Sequence, residues 1–310
     1  MATPGVALGA EPVRLRAARR RWGEEVVKGV LAICALVSVL ATVGIVFALL
    51  EPSLEVFREI SPIEFLTGTN WSPIIKPQSF GVVPLVAGTL LVTLCACAVC
   101  MPFGLGAAIY LSEYARTRTR RHLKPALEVL AGIPTVVYGF FALVTFTPFL
   151  QSLGLDVGSF NALSAGLVMG VMLIPTVASI SEDAMSAVPR ELRDGAYGLG
   201  ASRLQVSTRI VVPAAISGIV AGYVLAISRA IGETMIVLIA AGGLANLTGD
   251  PREPVLTMTA FIGQTGIGDI ATGSLQYKTI FAVGLTLFAL TLLMNMASIR
   301  LVRRYREAYE

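Results

Sequence analysis

Charge, histidine and cysteine are all scarce in this 310-residue chain. Charged residues make up 14% of it and hydrophobic residues 55%, against about 25% charged in a soluble domain, which excludes an ordinary water-soluble globule. The single histidine, His122, sits beside Arg121 in a basic stretch and reads as a solvated residue, so no Ser/His/Asp set can be assembled around it. No G-x-x-x-x-G-K-[ST] run occurs, and the chain therefore has no phosphate-cradling ATP loop. The four cysteines (Cys34, Cys95, Cys97, Cys100) all lie in apolar runs. The cluster Cys95-Ala96-Cys97-Ala98-Val99-Cys100 lacks the four-ligand spacing of a structural zinc site and has no His or Asp beside it, so it reads as small-residue packing. The period-two alternation of a membrane barrel is missing as well, which leaves helices to satisfy the backbone in lipid. Asn70-Trp71-Ser72 and Asn246-Leu247-Thr248 match the glycosylation pattern, but a three-residue match in a loop is expected by chance.

What is present is a series of long apolar runs. Stretches of this kind read as membrane spans, and six are expected, at about 26–50, 84–111, 125–150, 160–180, 214–241 and 278–300. The expected class is an all-α polytopic membrane protein with six transmembrane helices. Its parts are a basic tail (1–25), a first span (26–50), an exterior loop (51–83), a core of five spans (84–302) and a terminal tail (303–310). The net charge of +4 follows topology and gives no reason to expect nucleic acid. Nineteen of the 24 Lys and Arg fall in the tail and first helix start, the 115–124 loop, residues 190–209 and the C-terminus, and Arg58, Lys76, Arg252 and Lys278 fall in the other loops. The positive-inside bias then puts both termini and the 190–213 segment in the cytoplasm, in contact with membrane lipid along the spans between. The 51–83 loop is long for a connection; it is either a surface for an external partner or a packed lid. A short helix is expected around Val255–Gln264 in the Gly-rich third exterior loop, 242–277. Prolines 102, 134, 148, 175 and 213 sit in or at the ends of spans and favour kinks.

Two features carry the functional reading. Arg229 and Glu233 stand in the fifth run, where an Arg costs about 2.5–3.5 kcal/mol. Four residues apart, they are expected on one helix face, in a sector of about 80° with Gly218, Gly222 and Ala226, so that small residues let another helix approach. The pair is either part of an anion path, with the guanidinium as an oxyanion-matching fork, or a structural ion pair. Ser228 and Thr234 flank it. The second feature is the polar stretch 190–213, wedged between apolar runs. Pro189 is placed to start a helix, Glu191 and Asp194 lie early in it, and Gly200 ends it. A second helix follows, through Leu204, Val206 and Ile210 to Pro213. A connection needs only a few residues, so this stretch reads as a handle for a cytoplasmic partner rather than a loop.

Asp194-Gly195-Ala196, three residues, Gly200, nine residues, Ile210, one residue and Val212-Pro213 resemble the E-A-A-x3-G-x9-I-x-L-P signature of ABC-importer permeases, with Asp for Glu, Gly for Ala and Val for Leu. Three further stretches resemble the inorganic-phosphate importer permeases: residues 131–141 around Ile133-Pro134-Thr135, residues 174–184 beginning Ile174-Pro175-Thr176, and Ser228-Arg229-Ala230-Ile231-Gly232-Glu233-Thr234. The similarity covers about 60–302, and the long first exterior loop is similar to that of the C-type subunit rather than its shorter A-type partner. The resemblance implies the type I ABC-importer permease architecture in a bacterial cytoplasmic (inner) membrane. It also implies a second, A-type permease subunit, two ATPase subunits that carry ATP and Mg, and an extracytoplasmic phosphate-binding protein. No cofactor is implied on this chain itself, and no catalysis. Arg229 and Glu233, with Ser228 and Thr234, would lie on the path of phosphate. Glu191, Asp194, Gly195, Ala196, Gly200, Ile210 and Pro213 would belong to the coupling helices. Alternatives are a permease for another oxyanion (molybdate or sulfate), a non-transporting scaffold or phosphate sensor, and a self-contained channel or secondary transporter, which would need no ATPase grip.

Overall fold

The computed structural model describes residues 22–306; the basic tail expected over 1–25 lies outside them except for its last four residues, as do residues 307–310. The chain divides into two units at Leu49, within helix α1 (Trp22–Glu59). The first unit is the α1 stretch before Leu49, which is apolar around its whole circumference and almost entirely exposed. An apolar helix with no polar stripe suits lipid on all sides.

The second unit contains the remaining elements. Helix α2 (Pro62–Thr67) leads into a two-stranded antiparallel ribbon, β1 (Trp71–Ser72) and β2 (Ser79–Phe80), with Trp71 opposite Phe80. Next comes α3 (Val83–Ile109), with a π-helical turn at Tyr110–Tyr114, and α4 (Thr117–Gly132). Then follow α5 (Thr135–Phe141), a second π-helical turn (Ala142–Phe146), α6 (Thr147–Ser152) and α7 (Ala162–Ser186). The handle is α8 (Arg190–Gly198) and α9 (Arg203–Val206), continued by a π-helical turn (Ser207–Val211) and α10 (Val212–Ala214). The chain returns through α11 (Ile216–Ile231), α12 (Met235–Ala240), α13 (Met258–Ile267) and α14 (Leu275–Arg306).

Helices α3 and α7 form the most extensive pair, and the reason is steric. A Cβ on Gly170 would stand 2.7 Å from the Ala96 carbonyl oxygen, and one on Gly166 would stand 2.4 Å from the Cys95 Cβ. Backbones in a bilayer bind through such close approach, because lipid offers no hydrophobic drive between helices. The cysteine run is thus part of the α3–α7 seam, with Cys100 buried.

Among the described residues, five helical stretches are long and apolar enough to cross a membrane, and six if the pair Arg203–Ala214 plus Ile216–Ile231, bent by 71°, is one span. Two expected spans are therefore corrected. The 125–150 run is not one helix: α4 stops at Gly132, Ile133 and Pro134 are extended, and the apolar span begins at Thr135. A residue before proline is pushed out of the α region, which accounts for the break; the Tyr138 hydroxyl ties α5 back to the Leu130 carbonyl at 2.8 Å. The 214–241 run is also divided, into α11 and the short α12, with residues 232–234 between them.

On the face opposite the handle, the 51–83 loop is a packed lid. Phe65 and Trp71 are buried, and Phe57, Phe65, Trp71, Phe80 and Phe261 meet edge to face in a chain, the closest pair being Trp71 and Phe261 at 4.9 Å. Such pairs add about 0.5–1.5 kcal/mol beyond burial. The tip of the loop, Ile74 and Ile75, is strongly exposed, as are Ile63 and Leu66 of α2. The short helix expected at Val255–Gln264 is α13. It starts later, at Met258, because Thr257 is its N-cap and accepts a hydrogen bond from Ala260 N–H at 3.1 Å. In the loop before it, the Asp250 carboxylate takes hydrogen bonds from Arg252, which hold its pKa down at about 2.

Candidate functional site

Helix α11 lies antiparallel on α7, and the small residues expected on one of its faces make the contact. A Cβ at Gly218 would meet the Ala184 Cβ at 2.4 Å, and one at Gly222 would meet the Ile180 Cβ at 3.3 Å. Further along the same seam the Arg229 guanidinium donates to the Thr176 hydroxyl at 3.4 Å. Arg229 is exposed in the single chain. It lies about 20 Å along α11 from the handle end, at 1.5 Å per residue.

Glu233 is not on that helix face, which corrects the expected geometry. Helix α11 ends at Ile231, and the Glu233 carboxylate folds back to accept the N–H groups of Met235 and Ile236 at 3.0 and 3.4 Å. It thereby serves the first turn of α12, where unsatisfied donors and the positive end of the helix both favour an anion. Among the described residues, no carboxylate lies within 4 Å of the Arg229 nitrogens. Arg229 and Glu233 therefore flank a break rather than forming a pair. The break is pinned on its far side, where the Thr259 hydroxyl donates to the Glu233 carbonyl at 2.7 Å. Thr234 stays local, donating to the Gly232 carbonyl at 3.4 Å. The Ser228 hydroxyl donates to Asn295 Oδ1 on α14 at 2.8 Å. That bond borders an apolar cavity of about 750 Å³ whose other walls include Ile180, Leu225 and Ile299.

The handle has the expected form. Helix α8 starts after Pro189, Gly200 takes φ +82° between the helices, and Ser202 with Gln205 makes a capping box at the start of α9. An L-residue rarely adopts that φ, whereas glycine does so at little cost. The inner face is apolar: Ala196, Val206, Val211 and Ala215 pack with Met185, Val188 and Ala108. The outer face carries Leu192, Tyr197, Leu199 and Leu204, with Leu199 91% exposed. The expected coupling residues divide between the two faces. Glu191, Asp194, Gly195 and Gly200 are exposed, Ala196 is buried, and Ile210 and Pro213 are half-buried, Ile210 packing against the inner cluster.

Sequence reasoning passed over the groups that fix the handle in place. The Arg193 guanidinium donates to the Val188 and Met185 carbonyls at 2.6 and 2.7 Å and to the Glu113 carboxylate at 3.1 Å. It thus adds a charged donor to carbonyls at and just beyond the end of α7, and it joins α8 to the π-helical turn after α3. Beside it, Glu182 of α7 is 1% exposed and is held by Arg120 and by Lys124 at 2.8 Å, both on α4. Lys124 also reaches Asp183 at 3.2 Å. The Glu182-Asp183 pair near the end of a largely apolar helix was the available signal, but the partners of Glu182 lie about sixty residues away in sequence.

The comparisons with known proteins agree with one another. The family model described as "binding-protein-dependent transport system inner membrane component" matches residues 101–307. The chain is 34% identical to the probable ABC transporter permease protein YqgH of Bacillus subtilis, over 90% of this chain and 92% of that one. It is 30% identical to the phosphate transport system permease protein PstC of Haemophilus influenzae, over 92% and 95%. It is 33% identical to PstC of Mesorhizobium japonicum, over 74% and 75%. Among solved structures, a bacterial ABC transporter for import of the polysaccharide alginate aligns with TM-score 0.61 at 15% identity, over 92% of this chain and 99% of that one. The MetNI methionine ABC transporter aligns with TM-score 0.54 at 20% identity, over 73% and 94%. These two establish the fold: an all-α membrane protein of type I importer architecture.

Proposed function

The chain belongs to the family of binding-protein-dependent transport system inner membrane components, and on that premise we propose that it is the C-type permease subunit of an ATP-driven importer of inorganic phosphate. It forms half of the translocation pathway and hydrolyses nothing itself. The observation that carries the reading is Arg229: a guanidinium on a span helix, steadied by a hydroxyl and with no carboxylate within 4 Å among the described residues. A planar fork of donors without a resident counter-ion matches a tetrahedral oxyanion. Relatives named as phosphate permeases support phosphate as that anion.

The handle supports the coupling role. Its outer leucines and Tyr197 form an apolar knob on a polar segment, and such a knob seats in a groove of a partner ATPase, which binds ATP and Mg. The other partners are an A-type permease subunit, a second ATPase subunit and an extracytoplasmic phosphate-binding protein. Both termini and the handle face the cytoplasm, on the side where Lys and Arg accumulate. In this arrangement closure of the ATPases rocks the handle and switches access to Arg229 between the two sides of the inner membrane.

Uptake of radioactive phosphate by the reconstituted four-part assembly tests this. We expect uptake that requires ATP and is not reduced by excess sulfate or molybdate. Competition by either would make the substrate that oxyanion instead. Solute crossing through the isolated subunit without nucleotide would overturn the importer reading.

A further inference from the structure

Ser228 and Arg229 are neighbours in the last turn of α11, about 20 Å along the helix from its handle end, and each is tied to a different helix. The Arg229 guanidinium reaches Thr176 on α7 at 3.4 Å, and the Ser228 hydroxyl donates to Asn295 Oδ1 on α14 at 2.8 Å. Successive helical residues point about 100° apart, so the two bonds brace α11 from two directions at one level. They are not equal. A separation of 3.4 Å is near the outer limit of hydrogen bonding, whereas 2.8 Å is close to the preferred O–H···O distance. Packing on the α14 side is interrupted by the cavity of about 750 Å³, which lies between Val224 and Leu225 of α11 and Ile299 of α14. Nor does a longer helix hold the turn, since α11 ends two residues after Arg229, at Ile231. Asn295 itself is an exposed amide in the apolar span Leu275–Arg300, and among the described residues Ser228 is its one hydrogen-bond partner.

Resting on the importer reading above, we infer that Asn295 is a positioning residue for Arg229: by holding Ser228 it fixes the rotation of the last turn of α11, and with it the direction in which the guanidinium faces. Direction matters for arginine in particular. Its donors form a rigid planar fork, which meets two oxygens of one oxyanion only when the plane is turned toward them. A rotation of about 30° moves a side-chain tip at the roughly 6 Å radius of a helix sideways by about 3 Å, the length of a hydrogen bond. Side chains that hydrogen-bond across helices fix the contact between spans, where lipid supplies no hydrophobic drive. Asn295 has no contact with phosphate in this role and acts only through Ser228 and Arg229.

The test uses the complete reconstituted assembly, with radioactive phosphate uptake and ATP hydrolysis measured together. Failure of wild-type uptake takes down the importer reading and this inference with it, whereas uptake that is indifferent to Asn295 takes down this inference alone. Asn295→Leu and Ser228→Ala each remove the bond, one from either side. Each is expected to lower the phosphate moved per ATP hydrolysed about fivefold, the worth of one hydrogen bond, with subunit assembly and thermal midpoint unchanged. The double variant is expected to fall no further than either single one, because both delete the same contact. Ser228→Thr keeps the hydroxyl and is expected to retain the wild-type ratio. A wild-type ratio in Ser228→Ala overturns the inference. So does a double variant near the product of the two, about 25-fold, since the residues would then act separately. A ratio that stays at wild type while assembly, midpoint and uptake fall together would make the bond structural and overturn it as well. Should Asn295→Leu fail to assemble, Ser228→Ala against Ser228→Thr decides the matter.

Discussion

At the scale of single residues, Arg229 and Arg193 are the same side chain in opposite circumstances. Arg229 makes one hydrogen bond, to a hydroxyl, whereas Arg193 is held by two carbonyls and a carboxylate. Arg229→Gln is therefore expected to leave assembly intact and abolish phosphate uptake in vesicles; normal uptake would show that the guanidinium only supports structure. Arg193→Met is expected to act on structure instead, destabilising the subunit by about 3 kcal/mol because Glu113 is left buried without a cation, holding only the Ser112 hydroxyl, with a lowered thermal midpoint and weaker ATPase retention. The Asp250–Arg252 contact gives a third expectation. The carboxyl pKa is lowered from 3.8 to about 2, so whatever it contributes is present in full above the unfolded value and is lost as pH falls through about 2. Carboxyl chemical shifts of Asp250 should titrate in that lower window, and a midpoint near 3.8 would mean the contact is absent. Charge counting set Arg229 apart as a cation inside an apolar run and grouped Arg193 with the polar 190–213 segment. It could not pair Arg193 with Glu113 or Glu182 with Arg120, because nothing local in a sequence specifies contacts between residues sixty to eighty positions apart.

At the scale of elements, the handle and the α7–α11 seam were the most readable parts, and for one reason. Proline, glycine and N-cap residues act through local backbone chemistry, so in a polar segment Pro189, Gly200 and Ser202 mark helix ends. Gly200→Val is expected to strain the turn at φ +82° by about 1 kcal/mol or more and to loosen the ATPase in co-purification. Deleting 194–200 should release it altogether; an ATPase that stays bound would sink the coupling assignment. On the seam, Gly218→Leu would push a side chain into Ala184, at a cost of about 1–3 kcal/mol, read as a fall in thermal midpoint. The divisions of the 125–150 and 214–241 runs were not readable in the same way. Pro134 announces a kink, but whether a helix bends or stops there depends on what neighbours satisfy the freed groups. The second break lies in a run that reads as one span by its overall hydropathy despite Arg229 and Glu233. Only the Thr259 hydroxyl from another element and the Glu233 carboxylate turned onto α12 make it a stable end.

At the scale of the molecule, α7 touches nearly everything that matters. It packs on α3 along one side and on α11 along another, meets α4 through Glu182, and presents Thr176 to Arg229. Its handle end is fastened by Arg193. The all-helical class and most of the spans follow from apolar run length alone, since a bilayer leaves the backbone few choices. The lid did not follow, because burial of Trp71 against Phe261 is a matter of tertiary packing. The fastening at Arg193 has a further implication for how this protein tolerates change. On the α7 side its acceptors are main-chain oxygens of Met185 and Val188, which every amino acid supplies. Substitutions at those two positions can alter packing but cannot delete the bond, so the joint between lever and rod depends genetically on Arg193 far more than on the residues it grips.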